Sequence, residues 1–257
     1  FSQAQTIALG FFIVILTGTL LLMLPFASRD GQSIGFIPAL FTASSATCVT
    51  GLVVVDTYTH WTLFGQLVII TLIQIGGLGF VTIGVLFAMA LNRNIDLKQR
   101  TLIRESVNSI QLGGVVKLVR KIFMGTIMFE LAGAVILSIF FVPRLGLLRG
   151  IYYGVFHSIS AFCNAGFDLM GYKALYSSFT AEYDSIIINV TIMSLIVIGG
   201  IGFIVWDDIS KHGLHFKKYM LHTKIVLSTT AFLIFGGAFL FYIFERNNLM
   251  ADMSVKG

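Results

Sequence analysis

The chain has 257 residues, of which 56% are hydrophobic and only 11% charged, and its mean hydropathy is +0.91. A soluble domain carries roughly 25% charged residues, so this composition excludes an ordinary soluble enzyme. The net charge of +5 belongs to the loops of a membrane protein and implies no nucleic-acid partner.

Two cysteines and three prolines exclude a disulfide scaffold and a linker-rich chain. The chain opens on Phe1 rather than Met, so a longer native amino terminus is expected. The first apolar run, 7–26, is long enough to cross a bilayer, which takes about 20 helical residues. It lacks a basic leader and is not a signal peptide. The segment 35–47 is apolar but too short to span, and reads as a half-helix that enters the membrane and turns back. Such re-entrant backbone survives only where protein or a water-filled cavity shelters it. The second long run, 63–91, exceeds the bilayer and is expected to tilt or to project into the cytoplasm. A charged stretch at 92–121 precedes a third run at 122–142, a second short segment at 151–162 and a fourth run at 186–206. A second charged stretch, 207–224, leads to the fifth run, 225–244.

Loop charge sets the orientation. The stretch 92–121 holds seven basic residues and 207–224 holds four, against six on the other side (Arg29, Arg144, Arg149, Lys173, Arg246 and Lys256). The positive-inside rule places both stretches in the cytoplasm. Both short segments then enter from outside, and the amino-terminal end lies inside.

The sequence repeats itself. Phe41-Thr42-Ala43-Ser44-Ser45-Ala46-Thr47-Cys48-Val49-Thr50-Gly51-Leu52 aligns without gaps on Phe156-His157-Ser158-Ile159-Ser160-Ala161-Phe162-Cys163-Asn164-Ala165-Gly166-Phe167, at an offset of 115. Gly76-Gly77-Leu78-Gly79-Phe80 matches Gly199-Gly200-Ile201-Gly202-Phe203 at an offset of 123, the difference being an insertion near 170–179. The predicted fold is therefore an all-α integral membrane protein built from parallel repeats of helix, re-entrant loop and helix. The first repeat covers 1–91 and the second 122–206, separated by the basic loop 92–121. A cytoplasmic loop at 207–224 and the first helix of a third, incomplete repeat at 225–257 complete the chain.

A monovalent cation needs a substitute for its water before it can cross, and selectivity filters supply backbone carbonyls. Carbonyls aimed at one axis need unusual torsions, which glycine adopts without a clash. A short helix aimed by its C-terminus adds partial negative charge where a cation sits. Gly51 and Gly166 fit that role, and they also fit a plain helix C-cap. Their recurrence in two matched blocks favours the filter.

These blocks and the paired Gly-Gly-x-Gly-Phe segments resemble the Trk/Ktr/HKT superfamily of potassium transporters, with the nearest likeness to the bacterial Ktr transmembrane subunit. The resemblance implies a potassium-channel-like pore architecture, with four linked helix–pore loop–helix units around one pore, each with a degenerate filter strand that keeps one glycine. Carried over by position, the ion-binding carbonyls would belong to Val49, Thr50, Gly51 and Leu52, and to Asn164, Ala165, Gly166 and Phe167. The resemblance also implies a homodimer in the bacterial inner membrane, docked on a cytosolic nucleotide-binding ring of the KtrA kind. The ion would be K⁺, with Na⁺ as a second candidate, and no covalently bound cofactor is expected. This chain carries two complete units and the start of a third, so it reads as a fragment of a longer chain or as one part of a filter.

Asp168 follows the second strand directly; it either concentrates cations at the pore mouth or bonds its own loop. Asp56 and Asp184 share that side. Glu130 falls inside the third run, where it either makes structural hydrogen bonds, with Gln74 as candidate partner or as the protonated acid, or serves transport. Cys48 and Cys163 are expected to pack behind the filter as small apolar groups, unlinked. Asn164 puts an amide where the first repeat has Val49; it either braces the strand by a hydrogen bond or is a simple variant, and bracing is the reading favoured. Gly76, Gly77, Gly79, Gly199, Gly200 and Gly202 are expected to let membrane helices approach closely, with a hinge as the lesser reading. No strand surrounds them, which excludes a nucleotide-binding loop. The five histidines show no metal spacing, and no nucleophile–base pair suggests catalysis. The loop 92–121 faces lipid head groups or, on the family resemblance, the regulatory partner. The function expected is K⁺ uptake driven by the membrane potential. The alternative is a secondary cation transporter coupled to Na⁺ or H⁺, which the parallel orientation of the repeats opposes.

Overall fold

The computed structural model describes residues 3–79, 82, 115–213, 215–246 and 248. The basic residues Arg93, Lys98, Arg100 and Arg104, the expected continuation of the second run and Phe80 lie outside them. Two compact units are described separately: Phe1–Ala181 with Ile187–Gly200, and Glu182–Ile186 with Ile201–Gly257.

In the first unit, α1 (Gln3–Leu22) stops earlier than its apolar run, because Pro25 opens a 3-10 turn at Pro25–Ala27. Its faces differ. Thr19 and Leu22 are fully buried, whereas Leu9, Phe12, Ile13, Leu16 and Leu20 are exposed, as suits a helix against lipid. The short α2 (Phe36–Thr47) begins after Gly35, whose φ of 88° only glycine adopts readily. At about 1.5 Å per residue its twelve residues cannot span a bilayer. A single turn, α3 (Thr57–His60), is capped by the Asp56 carboxylate, which accepts from the Tyr58 and Thr59 amides. Helix α4 (Leu63–Leu78) packs on α1 and α2.

The second half of this unit repeats the pattern. Helix α5 (Val115–Leu145) runs past both predicted bounds. The short α6 (Leu147–Phe162) follows Gly146, whose φ of 82° matches that of Gly35. It starts one turn earlier than predicted. Gly150 and Gly154 let α6 close on α5: a Cβ at Gly154 would stand 2.7 Å from the Ala134 carbonyl oxygen. Helix α7 (Ile186–Gly200) completes the unit.

The run predicted as one span over 186–206 is broken. Helix α7 ends at Gly200 and α8 (Phe203–His212) begins after Gly202, at φ 88°. Gly79, at φ 78°, likewise ends α4 where the sequence suggested an unbroken helix. Among the described residues neither glycine has an atom within 4 Å of a virtual Cβ, and what both show there is the positive backbone torsion.

In the second unit, α9 (Leu221–Glu245) follows a 3-10 turn at Phe216–Lys218. Asp208 of α8 fastens the junction: its carboxylate accepts from the Met220 amide at 2.9 Å and pairs with His212. Among the described residues three helices are long and apolar enough to cross a membrane, or four if α7 and α8 form one broken span.

Candidate functional site

The ends of α2 and α6 are built alike. After α2, the Val49 amide donates to the Ala46 carbonyl and the Thr50 amide to that of Ser45, at 3.3 and 3.0 Å. After α6, Asn164 donates to Ala161 and Ala165 to Ser160, at 3.0 and 2.8 Å. This pair of bonds is a Schellman closure, and its left-handed residue is Val49 in one copy and Asn164 in the other, at φ 51° and 59°. The helix C-cap is therefore complete before Gly51 and Gly166 are reached, and those glycines are not the capping residues. Asn tolerates this torsion, whereas a β-branched Val there is strained.

Two residues further on, Gly51 and Gly166 return to positive φ, at 74° and 76°. Positive φ thus recurs at alternate residues in both strands, which is how extended backbone can turn successive carbonyls toward one side. The structure brings the strands together. A Cβ on Gly51 would lie 2.7 Å from the Ala165 carbonyl oxygen and 3.2 Å from the Gly166 Cα. Thr50 and Leu52 are exposed, whereas Ala165 and Phe167 are buried.

Matched serines hold the two strands, each in its own way. Ser45 Oγ lies 2.9 Å from Thr50 Oγ1. Ser160 Oγ donates to the Phe167 carbonyl at 2.6 Å, so that oxygen already has a partner. Buried His157 holds the next stretch: its Nδ1–H donates to the Tyr153 carbonyl at 2.8 Å, and Nε2 accepts the Leu169 amide at 3.0 Å. Nothing in the sequence pointed to this clamp beyond the lone histidine itself.

The glycine pairs pack these ends. A Cβ at Gly76 would overlap the Thr47 carbonyl oxygen, and a Cβ at Gly199 would overlap that of Phe162. Thr47 and Phe162 are equivalent last residues of α2 and α6. A Cβ at Gly77 would stand 2.5 Å from Cys163 Sγ. Cys163 is buried beneath α4 as expected, but Cys48 is exposed, because no described helix covers the corresponding face of the first strand. Both thiols are free.

Behind the second strand, Gln74 Nε2 donates to both oxygens of the Glu130 carboxylate, at 3.0 and 3.2 Å, which answers the sequence pairing. Ser158 Oγ donates to the Glu130 carbonyl at 2.6 Å, tying α5 to α6. The Asn164 amide nitrogen lies against Gly199 and Gly200, 3.5 and 3.6 Å from their virtual Cβ positions.

Asp168 accepts from the Met170 amide at 2.8 Å. Burial raises its pKa above the usual carboxylate range, against the lowering effect of that bond and of one from Ser178. Asp56 caps α3 with one oxygen and accepts the Tyr176 amide with the other, at 3.1 Å, joining the two loops. Asp168 therefore bonds its own loop, whereas Asp56 ties its loop to that of Tyr176. Among the described residues no group of three His, Cys, Asp or Glu side chains could hold a metal ion.

Residues 2–245 match the TrkH family model, described as a cation transport protein. The chain is 47% identical over 249 residues to the potassium/sodium uptake protein NtpJ of Enterococcus hirae, covering 96% of this chain and 54% of that protein. It is 45% identical over 248 residues to Ktr system potassium uptake protein B of Bacillus subtilis, covering 96% of this chain and 54% of the other. The Vibrio alginolyticus protein of the same name is 39% identical over 250 residues, 96% of this chain and 53% of that one. The chain spans about half the length of these curated relatives. Cation transport, not catalysis, is the business of this family. With three or four apolar spans among the described residues, the chain is a multi-pass protein of the bacterial plasma membrane, and it belongs to the TrkH family of cation transport proteins.

Proposed function

We propose that the chain contributes part of a K⁺ uptake pathway, with the strands after α2 and α6 as two elements of a carbonyl-lined selectivity filter. The observation that carries this reading is the backbone-to-backbone approach of Gly51 and Gly166, each two residues beyond a completed helix cap. Val49, Thr50, Gly51 and Leu52, with Asn164, Ala165 and Gly166, offer carbonyl oxygens to a dehydrated cation. The Phe167 carbonyl, held by Ser160, anchors the foot of its strand. The C-termini of α2 and α6 add partial negative charge. K⁺ enters from outside and moves down the membrane potential, where 100 mV supplies about 2.3 kcal/mol per unit charge. That corresponds to roughly 50-fold accumulation without chemical energy. Na⁺ is the second ion to test, because one relative carries both ions in its name.

In this reading 1–91 and 122–206 are two helix–pore loop–helix repeats, 225–257 opens a third, and 92–121 and 207–224 face the cytoplasm. Further strands of the pathway, dimerisation and a nucleotide-binding gating ring belong to the full-length transporter.

The test replaces Gly51 or Gly166 by leucine in the full-length transporter, with K⁺ and Na⁺ uptake measured in reconstituted vesicles. Selective K⁺ uptake is expected to be lost. Unchanged preference for K⁺ over Na⁺ with both replaced overturns the filter assignment. Uptake that depends steeply on a proton gradient supports the coupled-transporter alternative instead.

A further inference from the structure

A cleft of about 460 Å³ opens between the loop after α1 and the N-terminal ends of α4 and α6, lined by Arg29, Tyr58, Leu63, Gln66, Arg149 and Tyr152 among others. Its polar floor is satisfied internally. The Gln66 side chain accepts from Tyr152 Oη at 2.9 Å and donates to the Trp61 carbonyl at 3.0 Å. The two guanidinium groups are not so matched: among the described residues neither forms an ion pair with a carboxylate. Arg29 is fixed in place, with Nε donating to the Trp61 carbonyl at 3.2 Å and the guanidinium 4.6 Å from the Tyr58 ring centre. Those contacts use one of its five N–H donors. The unmet property of the cleft is therefore positive charge.

The rim is apolar. Leu63 and Leu148 line the cleft and are 59% and 84% exposed. Bare leucines beside unpaired arginines, with tyrosines between them, fit the water–lipid boundary of a bilayer. A small soluble anion would match the arginines and leave the leucines wet. An amphiphile with an anionic head matches both.

We propose that this cleft binds an anionic glycerophospholipid, with Arg149 and Arg29 on the phosphodiester and Leu63 and Leu148 against the acyl chains. Guanidinium forks suit phosphate oxygens in pairs. The leaflet is the outer one, by the same charge placement that orients the spans. The site does not depend on the filter reading.

The test uses the full-length transporter, stripped of lipid in detergent, with phosphatidylglycerol or phosphatidylcholine added back. Bound lipid is counted by native mass spectrometry, and thermal unfolding is followed in parallel. Wild type is expected to retain phosphatidylglycerol at least five-fold better than phosphatidylcholine and to gain thermal stability from it. R149Q, which spares the bonded Arg29, is expected to lose most of that preference, and R149K to keep part of it. L148N should weaken lipid retention without removing the head-group preference. R149Q should keep K⁺ selectivity, which separates failure here from failure of the filter assignment. Equal retention by wild type and R149Q overturns the proposal. So does equal protection by inorganic phosphate alone, which would mark a soluble-anion site.

Discussion

Gly51 and Gly166 face each other with only backbone between them, and a virtual Cβ on either stands 3.2 Å from the other's Cα. The approach is lopsided, because the Gly51 side also meets the Ala165 carbonyl oxygen at 2.7 Å. Both alanine variants carry the left-handed penalty of about 1–2 kcal/mol, and Gly51→Ala adds a backbone clash. Gly51→Ala is expected to lower the unfolding temperature more than Gly166→Ala, as read by thermal unfolding in detergent. The reverse order would contradict this geometry.

Gly76 and Gly199 make the same contact in two copies, each against the last carbonyl of a short helix. A carbonyl cannot rotate aside as a side chain can, so Gly76→Ala and Gly199→Ala should each cost about 1–3 kcal/mol, the usual scale for overpacking. Gly200→Ala, whose Cβ would meet the Asn164 amide nitrogen at an ordinary 3.6 Å among the described residues, is the control and should cost less. Comparing the three unfolding temperatures checks this.

The Gln74–Glu130 pair predicts an order of damage. Gln74→Leu strips a buried carboxylate of its donor and should cost about 2–3 kcal/mol. Glu130→Gln keeps an acceptor for the Gln74 amide and should cost less. Replacing both residues by leucine should recover part of the Gln74→Leu loss, since no polar group is then left unpaired. A double-mutant cycle on unfolding free energy measures this coupling.

His157→Leu removes an acceptor from the Leu169 amide and a donor from the Tyr153 carbonyl. The expected cost is about 1–3 kcal/mol. Hydrogen exchange at Leu169 should rise with it, whereas exchange at Thr50, in the other strand, should not.

Asp168 predicts a pH dependence with a definite sign. Its folded pKa is raised, so the folded protein holds a proton that the unfolded chain has released. Stability then falls as pH rises from the ordinary carboxylate range through the raised value. Asp168→Asn should flatten that part of the curve of unfolding temperature against pH.

Hydropathy and loop charge were enough to locate α1, α2, α5, α6 and α9, because a bilayer imposes a length that a run of apolar residues either meets or misses. The matched blocks also exposed the two glycine strands. The ends of α4 and α7 were not legible: Gly79 and Gly202 look like any small residue in an apolar run, and only their torsions reveal a break. Val49 concealed the cap, since a β-branched residue is a poor sign of left-handed backbone. Cys48 and Cys163 are equivalent in sequence but unequal in burial, because Gly77 covers one and no described residue plays that part for the other. The bond between Asp56 and the Tyr176 amide joins segments 120 residues apart, which spacing alone does not disclose.

The Gly76–Thr47 contact has a mechanical consequence. With no side chain between α4 and the last peptide of α2, the junction holds no soft element that could act as a spring. Any tilt of α4 is passed undamped to the peptide that launches the first strand, and Gly199 passes a tilt of α7 to the second strand in the same manner.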